Sequence, residues 1–173
     1  GLYDGLNWTD EASSHHLSRV TDTPVLLVAD AKGRAGTLAA ELRGIVDFAP
    51  NNIAAVLLNR CAPGSYPKLT ALVAEHTGRP VVGYLPTVKE AALESRHLGL
   101  VTAGEIADIR EKMALLAYAV ERTVELDRLL EIARTAPALE RGQVPPEKTA
   151  EGLRIGVAED EAFCFTYPDN LLL

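Results

Sequence analysis

Residues 24–30 read Pro24-Val25-Leu26-Leu27-Val28-Ala29-Asp30, an apolar run closed by a carboxylate, and this kind of stretch decides the class of fold. Two more runs share the pattern: Ile53-Ala54-Ala55-Val56-Leu57-Leu58-Asn59 and Pro80-Val81-Val82-Gly83-Tyr84-Leu85-Pro86. None of the three alternates apolar with polar side chains. Each therefore predicts a strand that is covered on both faces, as is typical of a parallel sheet under helices.

Helical patterns lie between these predicted strands. Apolar residues recur at helical spacing from Ala35 to Phe48, and again ahead of Gly78, whose position is typical of the residue that ends a helix. A short helix is also predicted within residues 13–20. Strands and helices that alternate in this order indicate right-handed βαβ units, so the predicted class is α/β.

The pattern changes after the third strand. From Ala103 the sequence predicts a long amphipathic helix that runs through Val120, and then a second helix that passes through Ile132. Residues 137–152 are rich in proline and charge and predict a linker, after which residues 153–158 predict a new strand. We therefore divide the chain into one domain over residues 1–136, a linker over 137–152, and the start of a second domain at 153–173.

Composition excludes several classes of protein. The 173 residues are 47% hydrophobic, which is enough for a core and too much for intrinsic disorder. The 17 basic and 24 acidic side chains leave a charge of −7, which disfavours nonspecific binding to nucleic acid or to an anionic membrane. No apolar run approaches the roughly 20 residues of a membrane span. We therefore expect a soluble, cytoplasmic protein that binds neither nucleic acid nor membrane.

Ligands of parallel sheets gather at the carboxyl ends of the strands, so the polar residues near those ends are the candidate site. Asp4 lies between glycines; its carboxylate suits Mg²⁺, although Asp-Gly is also a common turn. Lys32 lies in a glycine-containing loop that leads into a helix. This loop suits an anion or a plain capped helix start, and it lacks the P-loop pattern.

Two further pairs of polar residues are candidates. Asn59 and Arg60 end the second predicted strand; the amide suits the edge of a purine ring, or else it belongs to a turn. Arg96 and His97 place a cation beside an imidazole, which suits carboxylate or phosphate recognition or an unliganded surface pair. Cys164 lies between two aromatic residues and lacks the pattern of a nucleophile elbow.

Taken together, blocks of sequence along almost the whole chain resemble cobyrinate a,c-diamide synthase, in the order in which that family has them. The blocks are Gly1–Gly5, Pro24–Gly33, Val56–Arg60, Gly83–Pro86, Arg96–Val101 and Ala158–Leu171. The resemblance implies that residues 1–136 are the rear part of an ATP-binding domain of the P-loop, dethiobiotin synthetase-like type. It implies that residues 153–173 open a class I glutamine amidotransferase-like domain.

The resemblance also implies an activity. Enzymes of this family use ATP and Mg²⁺ to activate the a and c acetate carboxylates of cobyrinate or hydrogenobyrinate, as acyl phosphates. They then amidate these groups with ammonia from glutamine, in cobalamin biosynthesis. A ligase acting on another tetrapyrrole, such as nickel-sirohydrochlorin, is an alternative. A noncatalytic dethiobiotin synthetase-like module for regulation or protein contacts is another.

The resemblance assigns roles to single residues. Asp4 matches the family's Gly-Leu-Phe/Tyr-Asp-Gly block and is the expected catalytic and Mg²⁺ carboxylate. Asn59 is expected beside the adenine, with Arg60 and Lys32 also binding the nucleotide. Arg96 and His97 are expected to bind the corrinoid carboxylates or to lie at the domain interface.

These assignments carry three further expectations. Asp4, Lys32, Asn59 and Arg96 should converge on one pocket. The P-loop and the glutaminase Cys and His fall outside these 173 residues, so the chain should be inactive by itself. A sheet that lacks its first strand should expose apolar surface, which favours a homo-oligomer.

Overall fold

The computed structural model describes residues 1–92, 108–140, 142, 154–158, 160, 163, 166–167 and 170–171. The chain divides into two units, and the sheet lies in the first, which comprises Gly1–Ala92 and Arg110–Leu139. Arg96, His97 and Cys164 lie outside the described residues. What was predicted for these three residues stays a prediction.

The sheet consists of β1 (Val25–Asp30), β2 (Ile53–Asn59) and β3 (Val81–Tyr84), in the order β1-β2-β3. Both neighbouring pairs are parallel, and the register of the first pair sets Asp30 opposite Asn59. The predicted α/β class and all three strands are confirmed. The predicted covering of both faces is wrong for β1, where Val28 is 55% exposed. The observed β1 and β3 begin one residue after Pro24 and Pro80, which lack the N–H group that a strand needs for full pairing.

Helices α2 (Gly36–Phe48) and α3 (Tyr66–Thr77) connect the strands as the sequence predicted. Helix α1 (Ser14–Val20) precedes β1, and helices α4 (Ile109–Thr123) and α5 (Leu126–Ala133) follow β3. Two short segments, Leu6–Trp8 and Lys89–Ala91, each form a single 3₁₀ turn. Helix α3 ends at Gly78, whose φ of +66° is the left-handed conformation that glycine adopts without strain.

The core lies between the sheet and the helices α2 and α3, which pack side by side. Leu38 and Leu42 of α2, Val56 and Leu58 of β2, and Val73 of α3 are all at most 1% exposed. Because β2 is the central strand, its residues are nearly all buried, and this explains why its sequence shows no alternation.

The junction between α4 and α5 covers the outer edge of β3. Val124 forms an antiparallel bridge with Gly83, and the Glu125 N–H donates to the Val82 carbonyl at 2.8 Å. The Thr123 hydroxyl donates to the Tyr84 carbonyl. These bonds satisfy backbone groups that an edge strand would otherwise leave exposed.

The strand predicted over residues 153–158 is wrong for the part that the structure describes. Residues 154–158 belong to no strand, and Ile155 is 83% exposed. An apolar run becomes a strand only when a neighbour supplies backbone partners, and none is described for this run. The boundaries of the linker and of the second domain stay predictions.

Within the described ranges, no helix is both long enough and apolar enough to span a membrane.

Candidate functional site

A cleft of about 590 Å³ opens at the carboxyl edge of the sheet. It is bounded by the loop after β1, the loop after β2, and the residues that follow β3. Its lining residues are Ala31, Lys32, Gly33, Arg34, Ala35, Arg60, Cys61, Ala62, Pro63, Ser65, Pro86 and Thr87. The cleft therefore lies where parallel sheets place their ligands.

The loop after β1 brings two cations to this cleft. Gly33 has a φ of +67°, which turns the chain toward α2. The Lys32 N–H donates to Asp30 Oδ1 at 3.2 Å, while the Arg34 guanidinium donates to the Asp30 carbonyl at 3.3 Å and pairs with Glu41. Within the described residues, Lys32 has no ion-pair partner, so its ammonium group is available to an anion.

Two helices begin at the cleft without side-chain caps. The residues that precede them, Ala35 before α2 and Ser65 before α3, both line the cleft, and neither side chain accepts a bond from the helix. The first N–H groups of a helix carry partial positive charge. The start of α2 therefore adds to the positive potential of the cleft. The start of α3 contributes less, because the Tyr66 N–H already donates to the Ala62 and Pro63 carbonyls and Pro67 has no N–H.

Asp30 and Arg60 form an ion pair across the ends of β1 and β2. The Arg60 Nε–H donates to Asp30 Oδ1 at 2.8 Å, and Nη2 donates to Asp30 Oδ2. The pair lowers the pKa of the Asp30 carboxyl, and the bond from the Lys32 N–H lowers it further. The same pair raises the pKa of Arg60. Both groups therefore stay charged across the physiological range.

Arg60 has a φ of +52°, which is uncommon for a residue with a side chain. The Asn59 side-chain oxygen accepts the Arg60 N–H at 3.0 Å and stabilises this turn. This bond uses one acceptor site of the Asn59 oxygen, and the NH₂ group is the donor that the amide can offer to a ligand.

The charges of the cleft mouth sum to a positive value. Lys32, Arg34 and Arg60 contribute three positive charges, and the carboxylates that pair with the two arginines, Asp30 and Glu41, contribute two negative ones. The cleft can therefore bind an oxyanion such as a phosphate or a carboxylate group. Among the residues that the structure describes, no cluster of three potential metal ligands occurs.

Asp4 lies away from this cleft, and the expected convergence of Asp4 with Lys32 and Asn59 is wrong. The neighbouring Tyr3 donates its hydroxyl to the Ile45 carbonyl at 2.7 Å, and its ring lies 4.9 Å from that of Phe48. These contacts are at the far end of α2 from its start at the cleft. The packing of the Tyr3 ring determines this position, and the polar residues around Asp4 gave no indication of it.

Asp4 instead lines a separate cavity with Tyr3, Gly5, Asn7, Trp8 and Thr9. Its carboxylate is 83% exposed. The structure thus brings Lys32 and Arg60 of the predicted site into the cleft and leaves Asp4 apart from them. Asn59 supports the Arg60 backbone but does not line the cleft.

Two other residues with reactive side chains are buried. His15 is buried rather than on the helix surface: Nδ1 lies 2.9 Å from Asp10 Oδ2, and Nε2 lies 3.0 Å from the Pro50 carbonyl. Cys61 lines the cleft but is 1% exposed, and burial raises the pKa of its thiol. This thiol is therefore held in its neutral, unreactive form.

The residue that the sequence reasoning missed is Asp30 as the partner of Arg60. A signal was present, because both residues end or follow neighbouring strands. Parallel strands in register bring their carboxyl ends together, so a carboxylate and a guanidinium at those ends meet.

Comparison with known proteins gives consistent relatives. The chain is 40% identical to the cobyrinate a,c-diamide synthase of Clostridium acetobutylicum over 176 aligned residues, which cover 100% of the chain. It is 39% identical to the enzyme of that name from Listeria innocua and 37% identical to that from Thermoplasma acidophilum, in each case over 99% of the chain. The resemblance to the cobyrinate a,c-diamide synthase family is confirmed.

The match covers the whole chain but only part of each relative. The chain spans 40% of the Clostridium acetobutylicum cobyrinate a,c-diamide synthase and 39% of the Listeria innocua one. No protein-family model matches the chain, and no solved structure does. The family resemblance therefore rests on the curated synthases themselves.

Proposed function

We propose that the chain is part of an ATP-dependent, glutamine-hydrolysing ligase that amidates the a and c acetate carboxylates of cobyrinate or hydrogenobyrinate in cobalamin biosynthesis. The observation that carries this proposal is the match along the whole chain to relatives named cobyrinate a,c-diamide synthase. The use of ATP and glutamine follows from the family resemblance. In this proposal the enzyme is cytoplasmic, and residues 153–173 open its glutaminase domain.

The cleft at the carboxyl edge fits the phosphates of a nucleotide. Lys32 and Arg60 would bind phosphate oxygens, and the uncapped start of α2 adds partial positive charge at the same place. Asn59 would direct its NH₂ group to an acceptor nitrogen of the adenine. When bound, ATP supplies the phosphoryl group that turns a carboxylate into an electrophile.

The described part of the cleft does not fit a Mg²⁺ ion that is held by the protein. No carboxylate lines it, and the two beside its arginines, Asp30 and Glu41, are each paired with an arginine. Mg²⁺ prefers oxygen ligands that are not already committed to a cation. We therefore assign no Mg²⁺ ligand within the cleft.

The proposed catalytic and Mg²⁺ role of Asp4 is tested separately, because Asp4 lies outside the cleft. In the full-length enzyme, Asp4→Asn should lower corrinoid amidation by a large factor and leave glutamine hydrolysis nearly unchanged. Synthesis of the diamide at the wild-type rate would remove Asp4 from the proposal. Arg96 and His97 remain proposed to bind the corrinoid carboxylates or to lie at the domain interface.

The experiment that tests the function uses the full-length protein. It is incubated with ATP, Mg²⁺, glutamine and cobyrinate, and the amidated products are identified by mass spectrometry. We expect two amidations that depend on both ATP and glutamine, with free ammonia able to replace glutamine. Parallel reactions contain hydrogenobyrinate or nickel-sirohydrochlorin.

Each result has a distinct meaning. Amidation of nickel-sirohydrochlorin alone would replace the proposed substrate with another tetrapyrrole. The absence of ATP turnover with every acceptor would contradict the ligase and support a noncatalytic module. Purified 173-residue chain should show neither activity, and glutamine hydrolysis by it would contradict the proposed domain assignment.

A further inference from the structure

We infer that Asp30 is a positioning residue: it holds one edge of the Arg60 guanidinium so that the other edge faces an oxyanion in the cleft. The inference rests on the proposed function in that it concerns the same cleft. It adds a role for a residue that lies outside the cleft lining and that would not itself touch the ligand.

The ion pair leaves part of the Arg60 guanidinium free. Asp30 accepts one bond from Nε and one from Nη2 of Arg60, so the carboxylate occupies one edge of the planar guanidinium. The N–H groups of Nη1 and the second N–H of Nη2 project from the rest of the group. Arg60 lines the cleft, and a guanidinium held along one edge has these remaining donors for an oxyanion.

The backbone of Arg60 is also held in place. A φ of +52° is unfavourable for a residue with a side chain, and such conformations persist where the surroundings hold them. Here the Asn59 side chain holds the Arg60 N–H at 3.0 Å, and Asp30 holds the guanidinium at the other end of the residue. Arg60 is thus fixed at both its backbone and its tip, although its side chain is about half exposed.

Asp30 also links Arg60 to the neighbouring cation. Its Oδ1 atom accepts the Lys32 N–H at 3.2 Å as well as the Arg60 Nε–H. One carboxylate therefore connects the loop after β1 with the loop after β2. The anion that this arrangement suits is a phosphate or a carboxylate, which in the proposed enzyme comes from ATP or from the corrinoid.

Binding to the full-length protein tests the inference without requiring turnover. Isothermal titration calorimetry measures the Kd of ATP in one arm and of cobyrinate in the other. Arg60→Ala should raise the Kd of one of these ligands about tenfold or more. The ligand whose Kd rises identifies the source of the anion. Equal affinity of wild type and R60A for both ligands would overturn the inference.

The role of Asp30 is tested with three variants. Asp30→Asn should raise the Kd of the same ligand about fivefold, since the change removes the charge but keeps the shape of the side chain. In the Arg60→Ala background the same change should have almost no further effect, and Asp30→Glu should restore part of the loss. Additive losses in the double variant would show that Asp30 does not act through Arg60.

A matched control separates positioning from general electrostatics. Asp47 forms a similar exposed pair with Arg43 on α2, whose guanidinium also donates to the His76 carbonyl at the far end of α3. Asp47→Asn should leave both Kd values unchanged. If Asp30→Asn does not fold, the exchange Asp30→Arg with Arg60→Asp keeps an ion pair and should still lose the ligand; retained affinity in that protein would overturn the inference.

The same measurements separate this inference from the proposed function. Loss of ATP affinity in D30N and R60A in a protein that amidates no tetrapyrrole would support the inference and contradict the function. The opposite result is also distinguishable. If the protein forms the diamide but both variants bind ATP and cobyrinate normally, the function would be supported and the inference contradicted.

Discussion

Replacing Gly83 with alanine should destabilise the fold by about 3–5 kcal/mol, because this glycine lets the α4–α5 junction approach β3 closely. Gly83 pairs with Val124 in an antiparallel bridge. A Cβ atom on Gly83 would lie 2.5 Å from the Thr123 carbonyl oxygen and 2.6 Å from the Val124 Cα. Contacts between carbon atoms are normally about 3.5–4 Å, so the two backbones would have to separate.

The magnitude has three sources. Gly83 has a φ of +143°, and a conformation that side chains rarely adopt costs about 1–3 kcal/mol. Crowding in a packed region costs about 1–3 kcal/mol. Moving the junction away also weakens the bond from the Glu125 N–H to the Val82 carbonyl, which contributes about 1 kcal/mol. These costs overlap, because the movement that relieves the clash is the same one that breaks the bond.

Urea denaturation followed by circular dichroism measures the effect, and Gly44 provides a matched control. Gly44 lies in α2, and a Cβ atom there meets nothing within 4 Å. Gly44→Ala should leave the free energy of unfolding unchanged or raise it by up to about 1 kcal/mol, because alanine favours helix. An unfolding midpoint for Gly83→Ala equal to that of wild type or of Gly44→Ala would refute the close-approach argument.

Three other changes have expected outcomes that follow from burial or charge. Leu58→Ala removes a fully buried side chain and should lower the free energy of unfolding by about 2–5 kcal/mol in the same denaturation assay, and a loss below about 1 kcal/mol would contradict its place in the core. His15→Ala removes contacts with Asp10 and the Pro50 carbonyl and should cost about 1–3 kcal/mol, whereas a surface histidine would cost almost nothing. The pKa of Asp30 is lowered in the folded state, so its ion pair stabilises the protein above the ordinary aspartate pKa of about 4 and loses this effect as the pH falls through the lowered pKa. The difference in unfolding midpoint between wild type and Asp30→Asn should therefore be present at neutral pH and disappear in acid, and a difference that persists in strong acid would contradict it.

The strands and the helices between them could be predicted from sequence because their causes are local. An apolar run such as Ile53–Asn59 has no polar face to expose, so it must be covered on both sides. The glycine after α3 ends that helix because Gly78 adopts a positive φ without strain. Asn59 and Arg60 were identified as candidates for a related reason, since the carboxyl end of a parallel strand has a known relation to the ligand site.

The remaining features depend on contacts between distant residues. The position of Asp4 is determined by the packing of its neighbour Tyr3 against Ile45 and Phe48, which lie about forty residues further along the chain. His15 is buried because Pro50, far along the chain, supplies an acceptor for its ring. Residues 154–158 have the composition of a strand, but a strand also requires a partner, and composition cannot specify one.

The double role of Asp30 leads to a kinetic prediction. Its carboxylate both orients Arg60 and reduces the positive charge of the cleft mouth. Asp30→Asn should therefore leave the association rate constant of an anionic ligand unchanged or slightly higher, because long-range attraction depends on net charge. The dissociation rate constant should rise about fivefold, because the bound anion loses an oriented partner.

Stopped-flow binding of ATP to the full-length protein at low and high salt separates these two effects. The small gain in the association rate constant should vanish at high salt, where the attraction is screened, and the faster dissociation should persist. If the loss of affinity lies in the association rate constant instead, Asp30 acts on the encounter with the ligand. In that case it does not position Arg60, since a group that orients a contact contributes only once the ligand is bound.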